Sequence, residues 1–223
     1  MTRLPFTPDQ FFEIFAIYNS RFSIVVAAWW LASLGLVAFA WWNPRRDSRF
    51  VTQLLAALWA WNAVAYHAAL FTRINPAAWI FAVLFAIEAV LLAWAAARHP
   101  HEYFASHGPI SRIGLGLIAY SFLYPLLSAL SHTYPATPTF GVPCPTTILT
   151  IGLLLTTRGG IPTAVAIVPA LWGIIGGSAA ALLNVPTDYV LLVAGLLLLV
   201  VASAGAWGAP SRLRSYARQR HVE

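Results

Sequence analysis

Long stretches almost free of charge constrain this chain more than any other feature. Runs of about twenty apolar residues lie near 23–42, 52–72, 77–97, 111–131, 162–183 and 187–207, and a shorter run, near 140–157, begins among prolines. A bilayer core about 30 Å thick takes roughly twenty residues of helix at about 1.5 Å each. Lipid offers no partner to a backbone amide, so each run is expected to be helical. A transmembrane barrel would alternate polar and apolar positions, and these runs do not. Composition agrees: 60% of the 223 residues are hydrophobic and 9% are charged, against about a quarter charged in a soluble domain. A soluble enzyme and a disordered chain are excluded, and a single cysteine excludes a disulfide-stapled secreted domain.

All thirteen basic residues are arginine. They punctuate the apolar runs instead of gathering on one solvated face, so the +6 balance points to topology and interfacial anchoring, and away from nucleic acid. With seven spans, ten arginines fall on the side of the C-terminus and three (Arg3, Arg21 and Arg73) on the side of the N-terminus. If 140–157 were a re-entrant hairpin the division would be eight and five. The positive-inside bias favours seven spans, with the N-terminus outside and the C-terminus in the cytoplasm.

The expected fold is therefore all-α, a polytopic membrane helix bundle of about seven transmembrane helices. Residues 1–22 form an N-terminal amphipathic interfacial helix, 23–209 the helical domain, and 210–223 a basic tail on the anionic cytoplasmic leaflet. Thr7-Pro8-Asp9-Gln10 is a helix start, with a threonine cap, a proline in the first turn and a glutamine three residues on. Phe11, Phe12, Ile14, Phe15 and Tyr18 share one side of that helix, and Asp9, Gln10 and Glu13 the other. Such a helix serves as an anchor, or as a lid over an outward-facing cavity.

Polar residues at membrane depth supply the candidate site. Glu88 sits mid-span in the third run, and intramembrane carboxyls mark function by default. Asn62 lies at nearly the same depth in the second run, so a hydrogen bond between Asn62 and a protonated Glu88 would satisfy both without function. Alternatively, Glu88 accepts a proton or cation. His67, His132 and Cys144 fall on the outer side, and two imidazoles with a thiolate suit zinc or copper, although their spacing matches no compact metal motif. Residues 132–145, with four prolines and one glycine, are expected to fold back into the outer mouth of the bundle. Thr146, Thr147 and Thr150 follow as a polar lining. Gly173 and Gly177 form a small-residue ridge suited to close helix approach, including a homo-oligomer, while Pro125 and Pro169 predict kinks. His99, His101 and His107, with Glu102, suit a solvated connection. No phosphate loop, metalloprotease motif or nucleophile elbow is present, and no nucleophile–base pair supports an enzyme.

Several strings taken together, Leu4-Pro5-Phe6-Thr7, Tyr66-His67, Ile74-Asn75-Pro76-Ala77, Pro138-Thr139-Phe140-Gly141-Val142-Pro143-Cys144-Pro145-Thr146-Thr147, and Trp172 with Gly176-Gly177-Ser178, give the chain a resemblance. It resembles an uncharacterised bacterial multi-pass membrane family, domain of unknown function 6064, over nearly its whole length. The resemblance implies an integral membrane protein and brings no activity, ligand or catalytic residue. The residues alone suggest that a small solute or ion binds or moves through a polar, outward-facing pocket built on Glu88, Asn62, Tyr66 and Thr146. The alternatives are a non-catalytic scaffold or subunit, and a metal or redox protein using His67, His132 and Cys144.

Overall fold

The computed structural model describes residues 5–43, 49–98, 103–158, 161–183 and 185–219, with side chains as far as 204 apart from Ala181. Eight α-helices follow in order: α1 (Pro8–Trp42), α2 (Arg49–Trp61), α3 (Ala78–Arg98), α4 (Pro109–Ser128), α5 (Pro143–Leu155), α6 (Ile167–Ser178), α7 (Ala180–Leu183) and α8 (Tyr189–Gln219). No strand occurs among the described residues. A π-helical segment, Asn62–Ala68, prolongs α2, and single 3-10 turns cover Phe71–Arg73, Thr163–Val165 and Pro186–Asp188.

Among the described residues five helical stretches are long and apolar enough to cross a membrane: Pro8–Trp42, Arg49–Arg73, Ala78–Arg98, Pro109–Ser128 and Pro186–Ala204. The other two apolar runs give shorter helices, Pro143–Leu155 and Thr163–Ser178. The 162–183 run is not one unbroken helix, because α6 ends at Ser178 and α7 adds only four residues. Pro169 kinks nothing, since it is the third residue of α6, in the turn whose amides have no helical acceptor to lose. Pro125 does lie inside α4.

The N-terminal start forms as its residues dictate. Thr7 Oγ1 accepts the Gln10 amide at 3.3 Å, and Gln10 Oε1 accepts the Thr7 amide at 2.9 Å, which satisfies two donors that the helix leaves over. At Phe22 the backbone leaves the helical region (φ −121°, ψ 19°). α1 is thus bent near the boundary expected between its N-terminal segment and the first apolar run. Phe11, Ile14, Phe15 and Tyr18 are buried, and Asp9, Gln10 and Glu13 are exposed.

Contacts place the connections at two opposite ends of the bundle. At one end Tyr18 binds Gly141, Tyr124 binds Asp188, and Phe6 packs on Phe71. At the far end Trp41 packs on Phe104, Thr52 binds Tyr103, and Thr156 receives the amides of Phe104 and Ser106. α3, of 21 residues, covers roughly 30 Å between these ends. α5, of 13 residues, covers roughly 20 Å, and its flanking segments complete the distance. Every residue of α5 is buried.

Glycines set the closest approaches. A Cβ on Gly173 would lie 2.6 Å from Gly195 Cα, and one on Gly114 would lie 2.7 Å from the Gly152 carbonyl oxygen. The Gly173–Gly177 ridge is therefore occupied by α8 of the same chain.

Candidate functional site

A cavity of about 230 Å³ opens at the end of the bundle that holds the α2–α3 connection. Its walls are mostly rings. Phe11 and Phe15, four residues apart on α1, meet edge to face at 4.9 Å, and Phe6 meets Phe71 at 5.4 Å. Tyr66 comes from the π segment, Phe81 from α3 and Trp172 from α6. Asn75, Cys144, Ser178 and Asp188 contribute the polar lining.

Asp188 is the residue that sequence reading missed. It closes the 3-10 turn before α8 and is 5% exposed. Its Oδ1 accepts the Tyr124 hydroxyl at 2.6 Å, and its Oδ2 accepts the Cys144 thiol at 3.4 Å. Tyr120 steadies the turn by donating to the Thr187 carbonyl at 2.9 Å. In the sequence this aspartate stands at the edge of an apolar run, where it passes for a helix-start acid. The available signal was an aspartate at the start of the last apolar run, at the same end of the bundle as the chain's one cysteine.

Behind the ring wall lies a second set of polar groups. Asn62 and His67 are both fully buried in the π segment, a form of helix often found at functional sites. Asn62 Nδ2 donates to the Leu58 carbonyl at 2.8 Å and to Thr146 Oγ1 at 3.2 Å, and its Oδ1 lacks a partner. Among the described residues both His67 nitrogens lack a hydrogen-bond partner, and the ring packs against Phe85 at 4.5 Å and Trp172 at 5.1 Å. Both carboxyl oxygens of Glu88, fully buried on α3, likewise lack a partner among the described residues. The expected Asn62–Glu88 bond is not formed. Equal depth along two helices leaves the direction of each side chain open, and Asn62 turns to α5.

His67, His132 and Cys144 are not assembled into one site. His67 is enclosed by rings, Cys144 engages Asp188, and His132 stacks on Phe12 with centroids 3.8 Å apart. Among the described residues no three histidine, cysteine or acidic side chains are grouped to hold a metal. Partial burial holds the His132 imidazole below its ordinary value. His99, His101 and Glu102 lie outside the described residues, and His107 lines a different cavity at the far end, beside Arg112.

The proline-rich segment is fastened to α1. Asn19 Nδ2 donates to the Pro135 and Thr137 carbonyls at 2.7 and 2.8 Å, and Asn19 Oδ1 accepts the Thr139 hydroxyl at 2.6 Å. Tyr18 donates to the Gly141 carbonyl at 2.9 Å while accepting Trp61 Nε1 at 2.8 Å. Gly141, at φ +86°, takes a conformation open to residues without a Cβ. These bonds carry the chain into Pro143 and Cys144 at the cavity wall.

Taken together, fold and cavity define an all-helical protein with five helices able to cross a bilayer and a ring-lined cavity at one end. The chain belongs to the family of unknown function DUF6064, whose profile matches residues 8–207. No curated protein and no solved structure matches it.

Proposed function

We propose that this is a bacterial inner-membrane protein that crosses the bilayer seven times, with its N-terminus outside and C-terminus in the cytoplasm, and binds a small solute in the ring-lined cavity. The carrying observation is the cavity itself: about 230 Å³ of space walled by aromatic side chains and backed by unpartnered buried groups. Solute sites are concave, mostly apolar and furnished with a few oriented polar groups, and intramembrane ionisable residues mark solute or ion pathways. The volume lies below the roughly 300–1,000 Å³ of drug-sized sites, which suits a small solute. Seven crossings are supported by the two ends of α5, one at Asp188 and the other at Phe104, and by the arginine imbalance. Short helices are tolerated at that depth where protein surrounds them.

His67 packs on Phe81 and Trp172 of the cavity wall, where it would accept a proton accompanying the solute, and Glu88, buried on α3, is a second acceptor for a proton or cation. Phe6, just ahead of α1, and Phe11 and Phe15 in its first turns form the wall that acts as the lid.

Cys144, the chain's one cysteine, reports entry directly. In purified protein, neutral methyl methanethiosulfonate should label it, and Ala179→Trp, placed on the cavity wall, should slow labelling severalfold. Labelling only after denaturation, or at a rate indifferent to the tryptophan, would reject an accessible solute cavity.

A further inference from the structure

The solute reading leaves its chemical class open, and the cavity's charge narrows it. Among the described lining residues Asp188 is the only formally charged group. Its two oxygens are met by a phenol and a thiol, both neutral donors. No basic side chain lines the cavity to balance the carboxylate. Helix ends are mixed here: α1, α3, α5 and α8 bring amide ends to this end of the bundle, and the α2–π segment, α4 and α6 bring carbonyl ends. The amide ends of α5 and α8, nearest to Cys144 and Asp188, favour the ionised carboxylate without placing a cation beside it.

The rest of the wall selects further. Ring faces carry negative charge density and attract cations, more strongly when water is excluded. Tyr66, Phe71, Phe81 and Trp172 line the same cavity as Asp188 and Cys144. An anionic solute would meet both the carboxylate and the ring faces unfavourably. A strongly hydrated inorganic cation would lose its water to a lining that offers few oxygens, chiefly Asn75, Ser178 and Asp188. A carbon-clad ammonium fits both demands.

We propose that the cavity binds a small monovalent organic cation, its ammonium group against Asp188 and its carbon substituents among the rings. The proposal rests on the cavity being a solute site and adds the class of solute.

Cys144 Sγ, 3.4 Å from Asp188 Oδ2, again serves as reporter. Two methanethiosulfonates of similar size are compared, one carrying trimethylammonium-ethyl and the other sulfonato-ethyl, each rate divided by its rate with a free thiol. The cationic reagent should react faster by about tenfold, the equivalent of one desolvated cation–ring contact. Tetramethylammonium chloride should slow labelling by the neutral reagent, and sodium chloride at equal concentration should not. Asp188→Asn should remove both effects. Equal normalised rates in the unmodified protein, or absence of protection by tetramethylammonium, would overturn the cation assignment while successful neutral labelling left the cavity reading standing. Failure of the neutral reagent itself would remove the cavity reading instead. The wild-type comparison decides the matter even if Asp188→Asn does not fold.

Discussion

Asn19 and Glu88 show two ways of burying a polar side chain in an apolar bundle. Asn19 makes three hydrogen bonds to the 135–139 segment, whereas the Glu88 carboxyl makes none. At roughly 1 kcal/mol net per bond, with further cost for stranded acceptors, Asn19→Ala should lower unfolding stability by about 2–4 kcal/mol. Glu88→Leu should leave stability unchanged or raise it by about 1–3 kcal/mol, because it removes a desolvated group with no compensating partner. Thermal unfolding in detergent measures both, and a large loss in Glu88→Leu would mean that the carboxyl holds the fold. His132 supplies a pH dependence. Its imidazole titrates below the ordinary value of 6.5, so its contribution is complete above that value and is lost as pH falls, when the unfolded chain binds the proton first. His132→Phe keeps a ring on Phe12 and should flatten the fall in melting temperature on acidification below about 6.5. Depth was legible for Glu88 and Asn62 because hydropathy counts residues along a helix. Their partners were not, because the azimuth depends on which neighbour each helix face meets.

Small residues decide how closely the helices approach. A Cβ on Gly173 meets the backbone of Gly195, whereas one on Gly116 has nothing within 4 Å. Gly173→Ala should therefore destabilise by about 1–3 kcal/mol through overpacking. Gly116→Ala should be neutral or stabilising by up to about 1 kcal/mol, since alanine favours helix. Equal melting temperatures for the two variants would contradict the α6–α8 packing. The glycine ridge was visible as a pattern suited to close helix approach, but a pattern names no partner, and the helix that meets Gly173 and Gly177 is α8. The capping box of α1 was readable because it involves residues three apart. The π segment was not, because widening one turn leaves no trace in the order of apolar residues. Asp188 escaped for a similar reason: its bonds to Tyr124 and Cys144 span 64 and 44 residues.

Across the whole molecule, alternation of the connections between two ends is the property most easily tested. Reporter fusions active only outside the cytoplasm should work when joined after Ser131 or Leu183 and fail when joined after Arg158 or at the C-terminus, with both termini tagged as a control. Finding the termini in one compartment would reject an odd number of crossings. The five long apolar helices among the described residues were legible in the apolar runs, because a crossing helix needs roughly twenty residues. The sequence did not carry the subdivision of the 162–183 run or the clamp on residues 132–145, which depend on contacts between distant segments. α5 has a further consequence for assembly. At thirteen residues, wholly enclosed and preceded by prolines, it is a poor candidate for release into lipid on its own merit. Its neighbours α6 and α8 leave the ribosome after it. The helix that α4 already covers on one side can therefore be enclosed on all sides only once these later-synthesised segments are in place.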